Sequence, residues 1–260
     1  LQTLRIVMFM ENKYVKFKGL NLTLETLDGL LKHNGPYYDN TNIDNLVGIK
    51  NLKNKIDLKS FPSLEAQIAS ISDDIAYNNH DIQDGYRANL FKLNELEEIS
   101  FFKEILKKYS TKIKIDNKIL IYQMVRDSIN LMVKNLIKNS LINFKVHKIK
   151  KLTDVYRCKN ELICFSADYE NIINEIRYFL RLKMYKNNKV LKKNNEGKRI
   201  IVKLFNVISR NPRKFLTFLP IKHNKYRSVA DYISGMTDRF AINIYKSTKW
   251  IYLKNIRIKY

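Results

Sequence analysis

Three apolar stripes at helical spacing constrain this chain more than any other feature. Leu64, Ile68, Ile71 and Ile75 follow the i, i+4, i+7, i+11 pattern of one helix face, behind Pro62, a favoured first-turn residue. The pattern returns at Ile121, Val125, Ile129, Met132 and Leu136, and again at Val229, Ile233, Met236, Phe240 and Ile244. A fourth helix is predicted from Ser166, whose hydroxyl can cap free N–H groups, through Ile172, Ile176, Phe179 and Leu180. Gly and Pro fill only 11 of 260 positions, too few turn formers for a β-sandwich or barrel. The expected fold class is all-α, with β-branched residues over 145–165 allowing one short β-hairpin. Loops are expected at Asn34-Gly35-Pro36, 40–59, 186–199 and 209–227, and no internal repeat is present.

Charge then singles out one of these helices. Lysine is about one residue in seven and the net charge is +23, yet no lysine occurs between Lys59 and Lys92. That segment carries Glu65, Asp73, Asp74, Asp81 and Asp84 against Arg87 alone, so the remaining 228 residues hold +27 around an acidic patch of −4. Asp73 lies about 180° from the Leu64 stripe, where a solvated face is expected. Its neighbours there are Ala66, Ala69, Ser70 and Ala76, small residues that let another element approach, so both faces are expected to be enclosed. Asp73, Tyr77 and Asp81 follow at i, i+4 and i+8 and share one wall. Acids near a helix start, with an ordinary half-buried Tyr, are one reading of this wall. A small-molecule or metal site is the other, since carboxylates suit hard cations and accept from sugar hydroxyls.

The string Ser63-Leu64-Glu65-Ala66-Gln67-Ile68, followed by Asp73 through Asp81, resembles the bacterial deoxyguanosine triphosphate triphosphohydrolase-like family of the HD superfamily. Gly19-Leu20-Asn21-Leu22-Thr23, Glu25-Thr26-Leu27 and Leu31-Lys32-His33-Asn34-Gly35-Pro36 resemble the family's preceding segment. Val229 through Ala241 resembles its C-terminal signature. The resemblance implies the C-terminal part of an HD-type helical domain over 1–110 and a helical C-terminal region over 111–260. It also implies a divalent metal of the Mg or Mn class, and hydrolysis of a deoxynucleoside triphosphate to deoxynucleoside and triphosphate.

Carried over on matching positions, Asp73 is the final metal-ligand Asp, Tyr77 packs on the nucleotide, and Asp81 binds the sugar 3′-hydroxyl. Arg181-Leu182-Lys183-Met184-Tyr185 resembles a helix that supplies substrate contacts, which makes Arg181 and Tyr185 substrate-binding candidates. The family follows this Tyr with a His where Lys186 stands here, and Arg181 also reads as a surface charge. The family's first His, its His-Asp pair and its assisting His and Glu match nothing here; they precede the segment that Leu1-Gln2-Thr3-Leu4-Arg5-Ile6 resembles. His80-Asp81 stands after Asp73 and matches the sugar-binding region, not that pair. His33 reads as a turn residue with a structural hydrogen bond, and His147 and His223 lack ligand spacing. One Asp cannot hold a hard cation alone. The expectation is a fragment inactive in isolation, whose metal binds only if the upstream ligands are supplied, by the missing N-terminal half for example.

The charge supports an alternative of another class, a basic helical module that binds single-stranded nucleic acid without catalysis. Lys148, Lys150 and Lys151, and Lys189, Lys192, Lys193, Lys198 and Arg199, form clusters able to neutralise phosphates. Against it, 29 asparagines and many isoleucines accompany the lysines, the bias of AT-rich codons. Cys158 and Cys164 support neither a disulfide framework nor a zinc motif. No apolar run approaches the ~18 residues of a membrane span, so a cytoplasmic protein without a membrane partner is expected. A homo-oligomer is a further expectation, and the tail from Lys249 to Tyr260 matches nothing.

Overall fold

The structure, a computed structural model, describes residues 2–38, 55–109, 116–216 and 224–257, with side chains described to 247. The expected boundary at 110/111, most of the loop over 40–59, His223 and the tail side chains lie outside the described residues. The main helices are α1 (Leu24–Leu31), α2 (Leu64–Arg87), α3 (Ser100–Lys107), α4 (Asn117–Val146), α5 (Leu152–Arg157), α6 (Ala167–Leu180), α7 (Asn188–Arg210), α8 (Lys225–Ser234) and α9 (Asp238–Arg257). No strand occurs among the described residues, and the fold is all-α. By contacts the chain divides into two compact units, 1–184 and 185–260.

In the first unit α2 packs against α1, α4 and α6, and α3 packs against α4. The stripe on α4 is its buried face: Ile121, Val125, Met132 and Leu136 are buried, joined by Met124. Ser63 caps α2 as its sequence suggests, accepting from the Ala66 N–H at 3.4 Å. The Leu64 stripe is less complete, because Ile68 is half exposed while Gln67 beside it is 2% exposed. Gln67 is buried with both polar atoms of its amide paired. Nε2 donates to the Pro62 carbonyl at 2.9 Å, and Oε1 accepts from the Leu162 and Ile163 N–H groups at 3.0 and 3.1 Å.

The hairpin allowed over 145–165 does not form. Asp154 accepts from the Lys150 and Lys151 N–H groups and starts α5 in the middle of that stretch. The chain that follows has its backbone groups satisfied by side chains rather than by a partner strand. Asn143 donates to the Leu162 carbonyl at 3.1 Å, and Asn139 to the Cys164 and Phe165 carbonyls at 2.9 and 3.0 Å. Asn135 holds Ser166 twice, donating to its hydroxyl and accepting from its N–H. Ser166 is the N-cap residue of α6 as expected, but its hydroxyl makes no capping bond because Asn135 engages it.

In the second unit Leu204, Ile208, Leu216, Val229, Ile233 and Ala241 form a core of their own. The stripe expected as one helix over Val229–Ile244 is split between two: α8 ends at Ser234 before Gly235, Phe240 and Ile244 lie on α9, and Val229 and Ile233 enter the core while Phe240 is 45% exposed. The loop expected over 186–199 is helical from Asn188, as the first half of α7.

Candidate functional site

The first unit builds its site around the turn that ends α1 and the face of α2 beside it. Thr23 caps α1 by accepting from the Thr26 N–H, and α1 then crosses α2 so closely that a Cβ on Gly29 would stand 2.8 Å from the Ala66 Cβ. This is one close approach that the small residues of α2 foreshadow. Past the end of α1, Gly35 takes φ +91° and its N–H closes on the Lys32 carbonyl at 2.8 Å. The turn is therefore tight, and it carries two unusual side chains.

Lys32 is 2% exposed, whereas lysine is almost never buried unless it is paired. Its Nζ lies 2.7 Å from Asp28 Oδ1 and donates to Ser60 Oγ at 3.0 Å. Ser60 in turn donates to the Asp57 carbonyl, so this ammonium fastens α1 to the approach to α2. Burial raises the Asp28 carboxyl above its ordinary range, and the Lys32 hydrogen bond and charge oppose that rise. His33 comes next. Its carbonyl accepts from Ser70 Oγ on α2, and its Nε2 stands 3.8 Å from Asp73 Oδ2.

Asp73 thus meets His33, which sequence reasoning assigned only a structural bond. The Asp73 side chain is 74% exposed and Tyr77 is 56% exposed, while Asp81, one turn further, is half-buried. The three do follow one another along α2, but their side is open rather than enclosed among the described residues. The reason is length: α1 ends at Leu31 and covers only the first turns of α2. Between these two helices a cavity of about 400 Å³ is lined by Thr26, Gly29, His33, Ala66 and Ala69, among others.

On the other flank α6 brings a cation to the acidic helix. Arg177 Nη2 bonds Asp74 Oδ2 at 3.0 Å. Arg181 follows one turn later, exposed, with its guanidinium 5.6 Å from the Tyr178 ring centre. It opens a π-helical turn over Arg181–Tyr185, a distortion frequent at functional sites. Lys183 on the same turn pairs with Glu95 at 2.6 Å. Tyr185 is half-buried and belongs to the second unit. Sequence reasoning missed Arg177; its spacing of four from Arg181 is the signal that could have found it.

Asp73 and His33 are two donors, short of the ~six ligands a hard divalent ion takes. No group of three or more His, Cys, Asp or Glu side chains able to hold a metal occurs among the described residues. The residues described do not fit a resident ion by themselves.

Comparison with known proteins adds the lineage. Residues 163–247 match the family model of the phosphohydrolase-associated domain. A deoxyguanosinetriphosphate triphosphohydrolase-like protein of Pelagibacter ubique is 60% identical over 247 residues, covering 95% of this chain and 67% of the relative. Proteins of the same description from Bartonella henselae and Rickettsia felis are 37% and 32% identical, over 94% and 98% of this chain and 64% and 68% of their own lengths. The chain spans about two thirds of the length of these relatives.

Proposed function

This chain belongs to the deoxyguanosinetriphosphate triphosphohydrolase-like family, and we propose that its acidic helix is the nucleotide-binding wall of a deoxynucleoside triphosphate triphosphohydrolase. The reaction is hydrolysis of the triphosphate from the nucleoside. One observation carries the reading: Asp73, Tyr77 and Asp81 succeed one another along the open side of α2, with Arg177 of α6 on its flank.

Each residue has a chemical task on that wall. Asp81 accepts a hydrogen bond from the sugar 3′-hydroxyl, and the exposed Tyr77 ring packs on the nucleoside. Arg181 neutralises phosphate charge, and Arg177 holds Asp74 so that this second carboxylate does not repel the substrate. Tyr185 is retained as a substrate-contact candidate within its own unit. Asp73 is assigned as one ligand of a divalent Mg- or Mn-class ion whose remaining ligands come from beyond the residues described. The 260 residues on their own are therefore expected to bind nucleotide without turning it over.

Equilibrium binding tests the wall directly. Deoxyguanosine triphosphate should bind the chain at least about tenfold more tightly than its 2′,3′-dideoxy analogue, the worth of one hydrogen bond to a charged acceptor. Asp81→Ala should remove that preference. Equal binding of the two nucleotides by the unaltered chain overturns the assignment. Release of triphosphate by the 260 residues with Mn²⁺ or Mg²⁺ overturns the expectation about the metal.

A further inference from the structure

A guanidinium that meets phosphate must be held where the phosphate arrives, and Arg181 is exposed at the first position of the π-helical turn Arg181–Tyr185. That turn bonds i to i+5 and so departs from the four-residue register of α6 just before it. The Tyr178 ring, 5.6 Å from the Arg181 guanidinium, lies within α6 and ties the turn to nothing beyond it. Lys183 does reach another element. Its Nζ donates to Glu95 Oε1 at 2.6 Å and lies 6.0 Å from the centre of the Phe179 ring.

Glu95 is itself held. Its second oxygen, Oε2, accepts from the Lys92 N–H at 2.7 Å and starts the helical turn Leu93–Leu96, so each oxygen of the carboxylate has a separate task. The stretch between α2 and that turn is anchored by Phe91, which is buried and packs edge-on against Phe179 of α6, with ring centres 5.1 Å apart. Phe91 also lies so close to Gly85 on α2 that a Cβ there would collide with its ring. The end of the acidic helix, Phe91, α6 and the π-helical turn are thus joined in one packing, and the Glu95–Lys183 pair is its last link. Its side chains are 28% and 34% exposed, covered enough that salt screens the bond only in part. The Lys183 hydrogen bond, followed by the Lys92 N–H, holds the Glu95 carboxyl below its ordinary range, and Glu95 holds the Lys183 ammonium above its own.

We propose that Glu95 is a positioning residue for nucleotide binding: through Lys183 it fixes the π-helical turn, and with it the guanidinium of Arg181. This role rests on the nucleotide-binding reading of the acidic helix, and it adds a carboxylate that touches no substrate. By charge alone Glu95 repels a triphosphate, so neutralising it should tighten binding. By positioning, neutralising it should weaken binding. The two effects have opposite signs.

Isothermal titration of the full chain with deoxyguanosine triphosphate and with deoxyguanosine reads the sign. Arg181→Ala should weaken triphosphate binding by about tenfold, the worth of one charge-assisted hydrogen bond. Glu95→Gln is nearly isosteric, but its amide accepts at one oxygen only and cannot serve both donors. It should weaken triphosphate binding by about threefold to tenfold and deoxyguanosine binding by less than about twofold. Lys183→Met should behave like Glu95→Gln, whereas Lys183→Arg keeps a donor for Glu95 and should stay within about twofold of the unaltered chain. In the Arg181→Ala background, Glu95→Gln should change triphosphate binding by less than about twofold, because the two substitutions remove the same contact. Without nucleotide, Glu95→Gln should speed amide hydrogen exchange at residues 181–184 by at least about fivefold and leave α4 unchanged. Equal or tighter triphosphate binding by Glu95→Gln, an equal loss for deoxyguanosine, additivity with Arg181→Ala or unaltered exchange at 181–184 overturns the positioning role and leaves the nucleotide reading standing. Failure of the unaltered chain to bind either compound overturns that reading and this role with it.

Discussion

Lys32 shows how much one side chain can decide in a molecule this charged. Its ammonium is buried with Asp28 and Ser60, and the two polar partners replace the water it gave up. Lys32→Met leaves Asp28 buried and uncompensated, and should cost about 3–5 kcal/mol in denaturant unfolding. The double change Asp28→Leu with Lys32→Met should recover most of that loss. A single variant as stable as the unaltered chain would mean that the pair contributes nothing. None of this was legible in the sequence, where one lysine among 36 carries no mark of burial. The Asp73, Tyr77 and Asp81 wall was legible, because helical spacing alone places side chains four apart on one side. The partners His33 and Arg177 were not, since residues 40 and 103 positions distant meet only through packing.

At the scale of elements, α4 reads as an ordinary amphipathic helix and is more than that. Its apolar stripe was visible in the sequence and is buried as expected. Asn135, Asn139 and Asn143, also spaced by four, looked like part of a compositional surplus of asparagine. In the structure they substitute for a neighbouring strand, meeting the backbone of 162–166 rung by rung. The β-branched residues of that stretch suggested a hairpin because periodicity reports burial and not which groups satisfy the backbone. Asn139→Ala strands two carbonyls and should cost about 1–3 kcal/mol. It should also raise hydrogen exchange at residues 162–166 before α4 itself opens. Unchanged exchange there would show that water replaces the amide without loss.

Over the whole molecule the two contact units have distinct cores and distinct charge. The first holds the acidic helix, and the second has only three acids in its sequence, Glu196, Asp231 and Asp238. No helix among the described residues is long and apolar enough to cross a membrane. Leu204 is fully buried in the second core, and Leu204→Ala should remove about 2–5 kcal/mol of protection from amides in α7 and α8. Protection in α2 and α4 should stay within about 0.5 kcal/mol of its original value. Equal loss in both units would show that they unfold as one. The sequence disclosed that there were two kinds of surface, but its expected boundary rested on resemblance, which carries no contact information.

Gln67 gives the molecule a schedule. Its amide oxygen is satisfied by N–H groups 95 and 96 residues further along the chain. At roughly 5–20 residues per second of synthesis, α2 emerges about 5–20 seconds before the segment that completes it. During that interval the helix carrying Asp73, Tyr77 and Asp81 has its cap but not its clamp. A nascent chain stalled in this window would expose a buried-type glutamine beside the bare face of Ile75 and Ile82, the kind of surface that chaperones hold.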